Sequence, residues 1–507
     1  MAETIPEVAK AADEKFGSMI AVVDGDREVT FAGLWNLIQR AAAGFVAAGL
    51  CTGDRVALWA PNSVDWIVAC AGAQAAGGVV VPLNTRMKGG EAAFILNRSR
   101  ARFLVLAETF LGVDYRAAIA DQQTPYLERV LSLGSEWEAF LSSAAPNAAT
   151  EARALTVRPE DASDIMFTSG TTGDPKGVVA AHGQTCRTFR SWIAKVGLRH
   201  GDRYLIVNPF FHSFGYKAGW LACLMVGATI YPMPILDVPK LLALVRKHRI
   251  TVLPGPPAIF QTMLASDLAG ADLGSVRLSI TGAASIPPAL IERMRRDLGI
   301  AVVLTGYGLT ETCGVVSMSS ADDPAEVVAR TCGAPIDGVE VRCVDLAGVS
   351  VPVGAEGEVV VRGFNVMQGY FDDAAATAEA IDSEGWLHTG DVGRLDENGR
   401  LMITDRLKDM YISGGFNCYP AEIEKVLQHH PDIALAAVIG VPDERLGEVG
   451  KAFVVPVAGR RPDAASLLAW ARENIANYKV PHSLEVVDAL PLNASGKVRK
   501  FELRDSA

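Results

Sequence analysis

A chain of 507 residues is too long for one compact core and implies two to four domains, and with half of its residues apolar it can bury those cores. Forty-seven basic residues against 58 acidic ones leave a net charge of −11, which argues against nucleic acid or an anionic membrane surface as partner, because both select basic faces. Eight cysteines, at 51, 70, 186, 223, 313, 332, 343 and 418, show neither close metal-ligand pairs nor disulfide-scaffold density, so a reducing cytoplasm fits best.

The opening "MAETIPEVAKAADEKFG" is charged and amphipathic, without the apolar run of a secretory signal. "RVALWA", "SVDWIVACAGAQAAG" and "VVVPLN" then read as strand, helix and strand, the spacing of crossover units on a largely parallel sheet. "ASDIMF" (162–167) reads as a short buried strand before "TSGTTGDPKG" (168–177), and "GVVAAH" resumes an apolar run after it. So many hydroxyls, glycines and exposed N–H groups, with one lysine, suit a polyphosphate, whereas a flexible linker does not join two core elements so tightly. The loop is not a P-loop either, since Lys176 lies between Pro175 and Gly177 and opens no Lys-Ser/Thr helix.

"PFFHSFG" (209–215) follows, and then nineteen uncharged residues, "AGWLACLMVGATIYPMPIL" (218–236), which could pass for a membrane span. We read a helix ending at Gly227 and a β segment after it, with no span. "ITVLPGPP", "AIFQTMLAS" and "VRLSITGAA" repeat the strand, helix, strand order. From Val339 the texture becomes β, in "VEVRCVD", "EGEVVVRG" and "GRLMITDR". Beyond "DRLKDMYISGG" (405–415), "YPAEIEKVLQHHP", "IALAAVIGVPDE", "GKAFVVPV" and "DAASLLAWARENI" predict helix, strand, strand and helix. The expected class is therefore α/β: a large N-terminal domain of parallel-rich α/β sheets (1–405) with a β-rich subdomain (339–405), and a small mobile C-terminal α+β domain (406–507).

Six stretches joining that loop in order, "PFFHSFG", "TGAA" (281–284), "GYGLTET" (306–312), "HTGD" (388–391), "DRLKD" (405–409) and "LPLNASGKVRK" (490–500), resemble the adenylate-forming superfamily of acyl-CoA synthetases, peptide-synthetase adenylation domains and luciferases. The resemblance runs from about residue 5 to residue 504 and implies ATP and CoA as substrates, Mg²⁺ and a small-molecule carboxylic acid, with a homodimer compatible with it. It implies a triphosphate cradle at Thr168, Ser169, Gly170, Thr171, Thr172 and Lys176, and a Mg²⁺ ligand at Glu311. Adenine would meet Gly282, Ala283, Ala284, Gly306, Tyr307, Gly308 and Thr310, with Tyr307 as its stacking face. Ribose would meet Asp391 and Arg406. His212 is similar to the aromatic gate beside the carboxylate, Lys497 to the late-arriving catalytic lysine, Gly414 and Gly415 to the pantetheine path, and Lys408 to the hinge.

Within the superfamily, an acid:CoA ligase is expected. No carrier domain follows before Ala507, and only fourteen residues separate Asp391 from Arg406, leaving no room there for the insertion of fatty acyl-AMP ligases. Lys217, in an apolar run, needs an anion, a carbonyl or water; a ligand oxygen and a snorkelling surface position are both open. The small residues Ala283, Ala284, Gly306, Gly308, Cys313 and Gly314 suggest a roomy pocket, hence a bulky, partly oxygenated acid. The chain is also similar to actinobacterial ligases that activate steroid-ring propionates; a medium-chain or aromatic acid, or loading of a carrier protein, is the alternative.

Overall fold

The structure is a computed structural model that describes residues 2–168, 175–266, 272–282, 288–407, 409–413, 416–443, 446–475, 479–492 and 498–505. The described residues form two compact units, one from those up to 168 and within 175–340 together with 361–387, the other from those within 341–360 and 388–505.

The first unit is built on two large sheets. In one, the strands run in the order Gly369–Tyr370, Lys176–Ala181, Ala162–Thr168, Val79–Pro82, Arg55–Trp59, Ala101–Leu106 and Arg129–Ser132. From Ala162–Thr168 onward in that order the pairs are parallel, while Lys176–Ala181 is antiparallel to both of its neighbours. The expected strand, helix, strand unit is present, with helix Val64–Ala75 between Arg55–Trp59 and Val79–Pro82. Ser63 caps that helix by accepting from the Trp66 amide, and nearly every residue of it is buried, as its unbroken apolar run requires.

The other sheet pairs Arg27–Thr30, Ile20–Asp24, Thr229–Pro232 and Arg203–Ile206, and the bridge residue Val252 joins it to Leu278–Gly282, Val302–Tyr307, Ser317–Met318 and Ala334–Pro335. The strand expected in "ITVLPGPP" shrinks to that single bridge, since Pro254, Pro256 and Pro257 lack the N–H groups a ladder needs. Gly227 ends the apolar helix at φ +75°, and Thr229–Pro232 follows as a strand. Among the described residues no helix is long and apolar enough to cross a membrane.

The second unit holds most of a four-stranded sheet in the order Val339–Val344, Gly357–Gly363, Leu387–Leu395 and Leu401–Arg406, the last two paired antiparallel. Beyond it, the hairpin Ile433–Asp443 with Gly447–Pro456 carries helices Pro420–Leu427 and Ala464–Asn474, the expected order, plus a parallel edge strand Ser483–Val486.

Candidate active site

The phosphate-loop candidates begin and end on paired strands. Thr168 lies opposite Lys176 in antiparallel register, and its Oγ1 donates a long 3.5 Å hydrogen bond to the Lys176 carbonyl. Ser169, Gly170, Thr171 and Thr172 lie outside the described residues. Lys176 is exposed and holds its Nζ 5.1 Å from the centre of the Tyr370 ring. The Tyr370 hydroxyl in turn donates to Glu311 Oε1 at 3.0 Å. The structure thus brings the candidate phosphate cation and the candidate metal carboxylate to one tyrosine, absent from the sequence argument. Burial, reinforced by the charge of Glu311, pushes the Tyr370 phenol well above its ordinary pKa, so it stays a donor.

Glu311 sits in the short turn Thr310–Thr312, half-buried, and its carbonyl accepts from the Met367 amide at 2.8 Å. Among the described residues no cluster of three His, Cys, Asp or Glu side chains could hold a metal. One accessible carboxylate nevertheless fits Mg²⁺, which dehydrates reluctantly and is held by few protein ligands.

Gly282 and Gly306 face each other across the parallel pair, and Tyr307 lies half-buried opposite Ser317. Ala283 and Ala284 lie outside the described residues. Gly306, Gly308 and Gly314 are also small for a local structural reason. A Cβ on Gly306 would meet Met318 Sδ at 2.1 Å, one on Gly308 would meet the Gly314 carbonyl at 2.2 Å, and one on Gly314 would meet Ser213 Oγ at 2.8 Å. Cys313 is buried in a left-handed turn. Their smallness lets backbone segments approach each other.

His212 is exposed, outside the buried cluster of Trp66, Phe210, Tyr216 and Trp220, so it is no packed core histidine. Its Nδ1 accepts from the Phe214 amide at 3.2 Å, capping the turn and leaving Nε2 as the second ring position. Five residues on, Lys217 lies in a π-helical stretch, Tyr216–Leu221, fully buried, with Nζ 2.9 Å from Asp164 Oδ1. The anion it needs is supplied by its own chain, and the snorkelling alternative fails. Burial pulls the Lys217 pKa down, Asp164 pushes it up, and the carboxylate prevails, leaving it above its ordinary value. Ser163 Oγ donates to Asp164 Oδ2 at 2.7 Å, and Gln74 Nε2 donates to both the Ser163 carbonyl and the Tyr216 hydroxyl. Asp164, Ser163 and Gln74 offer no local signal in the sequence beyond a polar residue inside an apolar strand or helix.

In the second unit Asp391 is 3 % exposed and stands opposite Arg406 in the antiparallel register. The "HTGD" turn is held by Glu358, whose Oε2 lies 2.8 Å from His388 Nδ1 and whose Oε1 accepts from the Gly390 amide at 3.1 Å. Thr389 Oγ1 donates to the Val359 carbonyl and accepts from the Asp391 amide. Glu358, which holds this turn, shows in the sequence only as part of a strand. Lys408, Gly414, Gly415 and Lys497 lie outside the described residues.

Comparison with known proteins places these segments in context. The AMP-binding enzyme family matches residues 9–371, and the AMP-binding enzyme C-terminal domain matches residues 422–497. A 3-(7a-methyl-1,5-dioxo-octahydro-1H-inden-4-yl)propanoyl:CoA ligase of Mycobacterium tuberculosis is 48 % identical over 99 % of this chain and 98 % of its own length. Its counterpart of the same name from Rhodococcus jostii is 47 % identical with the same coverage. Among solved structures, ATP-bound MatB from Rhodopseudomonas palustris matches at TM-score 0.90 with 29 % identity over 99 % of both chains. o-Succinylbenzoate CoA synthetase from Bacillus subtilis, holding its acyl-adenylate intermediate, matches at 0.83 with 28 % identity over 99 % of this chain and 98 % of its own. With two successive family matches spanning most of its length, the chain belongs to the AMP-binding enzyme family.

Proposed function

We propose that this chain activates a bulky, ring-bearing carboxylic acid with further oxygens, of the methyl-dioxo-octahydroindenyl propanoate type, first as an acyl-adenylate and then as a CoA thioester. The enzyme class, an AMP-forming acyl-CoA synthetase with ATP and CoA as substrates, follows from the family. The acid is our inference, and the observation that carries it is end-to-end likeness, at 48 % and 47 % identity, to two ligases named for that one acid.

In the first half-reaction a carboxylate oxygen of the acid attacks the α-phosphorus of ATP and pyrophosphate leaves. Two anions must meet, so positive charge and N–H groups have to be in place beforehand. Thr168, Ser169, Gly170, Thr171, Thr172 and Lys176 hold the outer phosphates. Glu311 would hold Mg²⁺, which supplies charge neutralisation on the phosphate oxygens. Gly282, Ala283, Ala284, Gly306, Gly308 and Thr310 border the adenine, Tyr307 stacks on it, and Asp391 with Arg406 holds the ribose. His212 stands beside the carboxylate, and Lys497 bridges carboxylate and α-phosphate. In the second half-reaction the CoA thiolate attacks the acyl carbon and AMP leaves, the thiol arriving past Gly414 and Gly415 after residues 406–507 turn about Lys408 relative to 1–405. All eight cysteines are free thiols, six of them buried, which supports a reducing, cytoplasmic setting.

A panel assay tests the substrate. With ATP, Mg²⁺ and CoA, the dioxo bicyclic propanoate should exceed its deoxo analogue, ferulate and a medium-chain fatty acid by at least about tenfold in kcat/KM. Ferulate leading the panel would favour the aromatic alternative, supported by 38 % identity to a feruloyl-CoA synthase of Amycolatopsis. Turnover only with a carrier protein's phosphopantetheine would overturn CoA as acceptor.

A further inference from the structure

The segment 367–371 is bonded to two parts of the candidate site at once. The Met367 amide donates to the Glu311 carbonyl at 2.8 Å, the Gln368 amide to Val179 at 2.9 Å, and the Phe371 amide to Gly177 at 2.7 Å. Tyr370 itself is held by its amide, which donates to Thr377 Oγ1 at 2.9 Å. Gly369 before it has φ +145°, and a Cβ there would stand 2.9 Å from the Thr377 side chain, so this approach requires glycine. In the ladder Tyr370 pairs with Val178. Lys176, two residues from Val178 on the same strand, therefore projects from the same face as a diagonal neighbour, within reach of a large ring. That register explains the 5.1 Å cation-to-ring distance, well inside the range of a cation–π contact. The opposite end of the same ring donates its hydroxyl to Glu311 at 3.0 Å.

We propose that Tyr370 is a positioning residue that fastens the carboxylate of Glu311 and the ammonium of Lys176 to one backbone-anchored ring, so that divalent cation and nucleotide phosphate bind cooperatively. The inference rests on the roles of Glu311 and Lys176 proposed above. The hydroxyl occupies one carboxylate oxygen and thereby aims the other, while the ring face keeps the lysine beside it. Without the hydroxyl the carboxylate regains rotamer freedom, and the metal loses a pre-aimed ligand. Binding free energies are reciprocal, so whatever the nucleotide gains from the metal the metal gains from the nucleotide.

The test measures Mn²⁺ binding by electron paramagnetic resonance on the full chain, with and without α,β-methylene-ATP. Y370F keeps the ring and should weaken Mn²⁺ binding to the nucleotide complex roughly tenfold, the loss expected of one hydrogen bond to a charged group, while leaving metal-free nucleotide affinity unchanged. Y370L removes the ring as well and should also weaken metal-free nucleotide binding a few-fold. Mn²⁺ affinity in Y370F within about twofold of the parent overturns the proposal, and so does an equal loss of metal and metal-free nucleotide binding, which marks a fold defect. E311Q separates the two layers. If E311Q weakens Mn²⁺ binding and Y370F does not, the tyrosine's role fails alone; if neither does, the metal role of Glu311 fails with it.

Discussion

Replacing Lys217 by Met tests what the buried ion pair contributes. Lys217 is 1 % exposed and Asp164 0 %, at 2.9 Å. Without the ammonium the carboxylate keeps the Ser163 hydroxyl at 2.7 Å but no cation in contact among the described residues. A buried charge stripped of its partner destabilises by about 3–5 kcal/mol, a large part of the roughly 5–15 kcal/mol that holds a domain together. Asp164→Asn should cost a similar amount, because it strands the ammonium instead. The double variant, with both charges gone and volume nearly kept, should cost less than the sum by about 2 kcal/mol or more. Seven of the eight tryptophans lie in the first unit, so denaturant unfolding followed by tryptophan emission reports the unit that holds the pair. Losses below about 1 kcal/mol in each single variant, or strict additivity in the double, would refute the argument. The double variant also separates a substrate role. Unchanged KM for the dioxo acid confines Lys217 to folding, whereas a rise of about tenfold or more on that acid alone would return it to the ligand.

Lys497→Ala should slow acyl-adenylate formation by about 10² to 10³ while sparing thioester formation from supplied acyl-adenylate, measured as separate half-reactions; equal loss in both sinks the assignment. Gly415→Leu should do the reverse, keeping pyrophosphate exchange while CoA-ester production falls. His182, fully buried and accepting from the Ile5 amide at Nδ1, has its pKa pushed down by burial to about 3. Its folded pKa lies below the unfolded value of about 6.5, so the stability it contributes is complete above pH 6.5 and is lost as pH falls from there toward 3, reaching about 2 kcal/mol of loss at pH 5. His182→Gln should flatten stability between pH 7 and 5 by that amount, and an unchanged slope would reassign the acid sensitivity. Glu358→Gln should raise KM for ATP several-fold with kcat little changed, since it loosens the turn that carries Asp391.

Local chemistry made most of the fold readable. The alternation around Val64–Ala75, the glycine ending the helix at Gly227, and the turn signals from Val339 onward all operate within a few residues. The ordered motifs likewise offered site candidates, because each carries its residue types in one short stretch. Contacts closed by topology could not be read this way. Asp164 meets Lys217 across 53 positions, and Glu311 meets Tyr370 across 59; neither pair has a periodicity to announce it. The glycines of "GYGLTETCG" stay ambiguous in the sequence for a related reason. Smallness in a sequence does not say whether it serves a ligand or a neighbouring segment; a Cβ on Gly306 would meet the Met318 side chain and one on Gly308 the Gly314 backbone.

The Asp164–Lys217 pair also bears on how such a protein can change by descent or by design. One partner lies on the strand Ala162–Thr168, the other on the helical stretch Tyr216–Leu221, segments that mutation visits separately. A lineage that altered either alone would pass through a protein with a bare buried charge, so the two positions are expected to be kept together or lost together. Grafting residues 213–227 from a relative in order to redirect acid preference therefore has to carry the matching residue at 164, or the graft will be judged inactive when it has merely failed to fold.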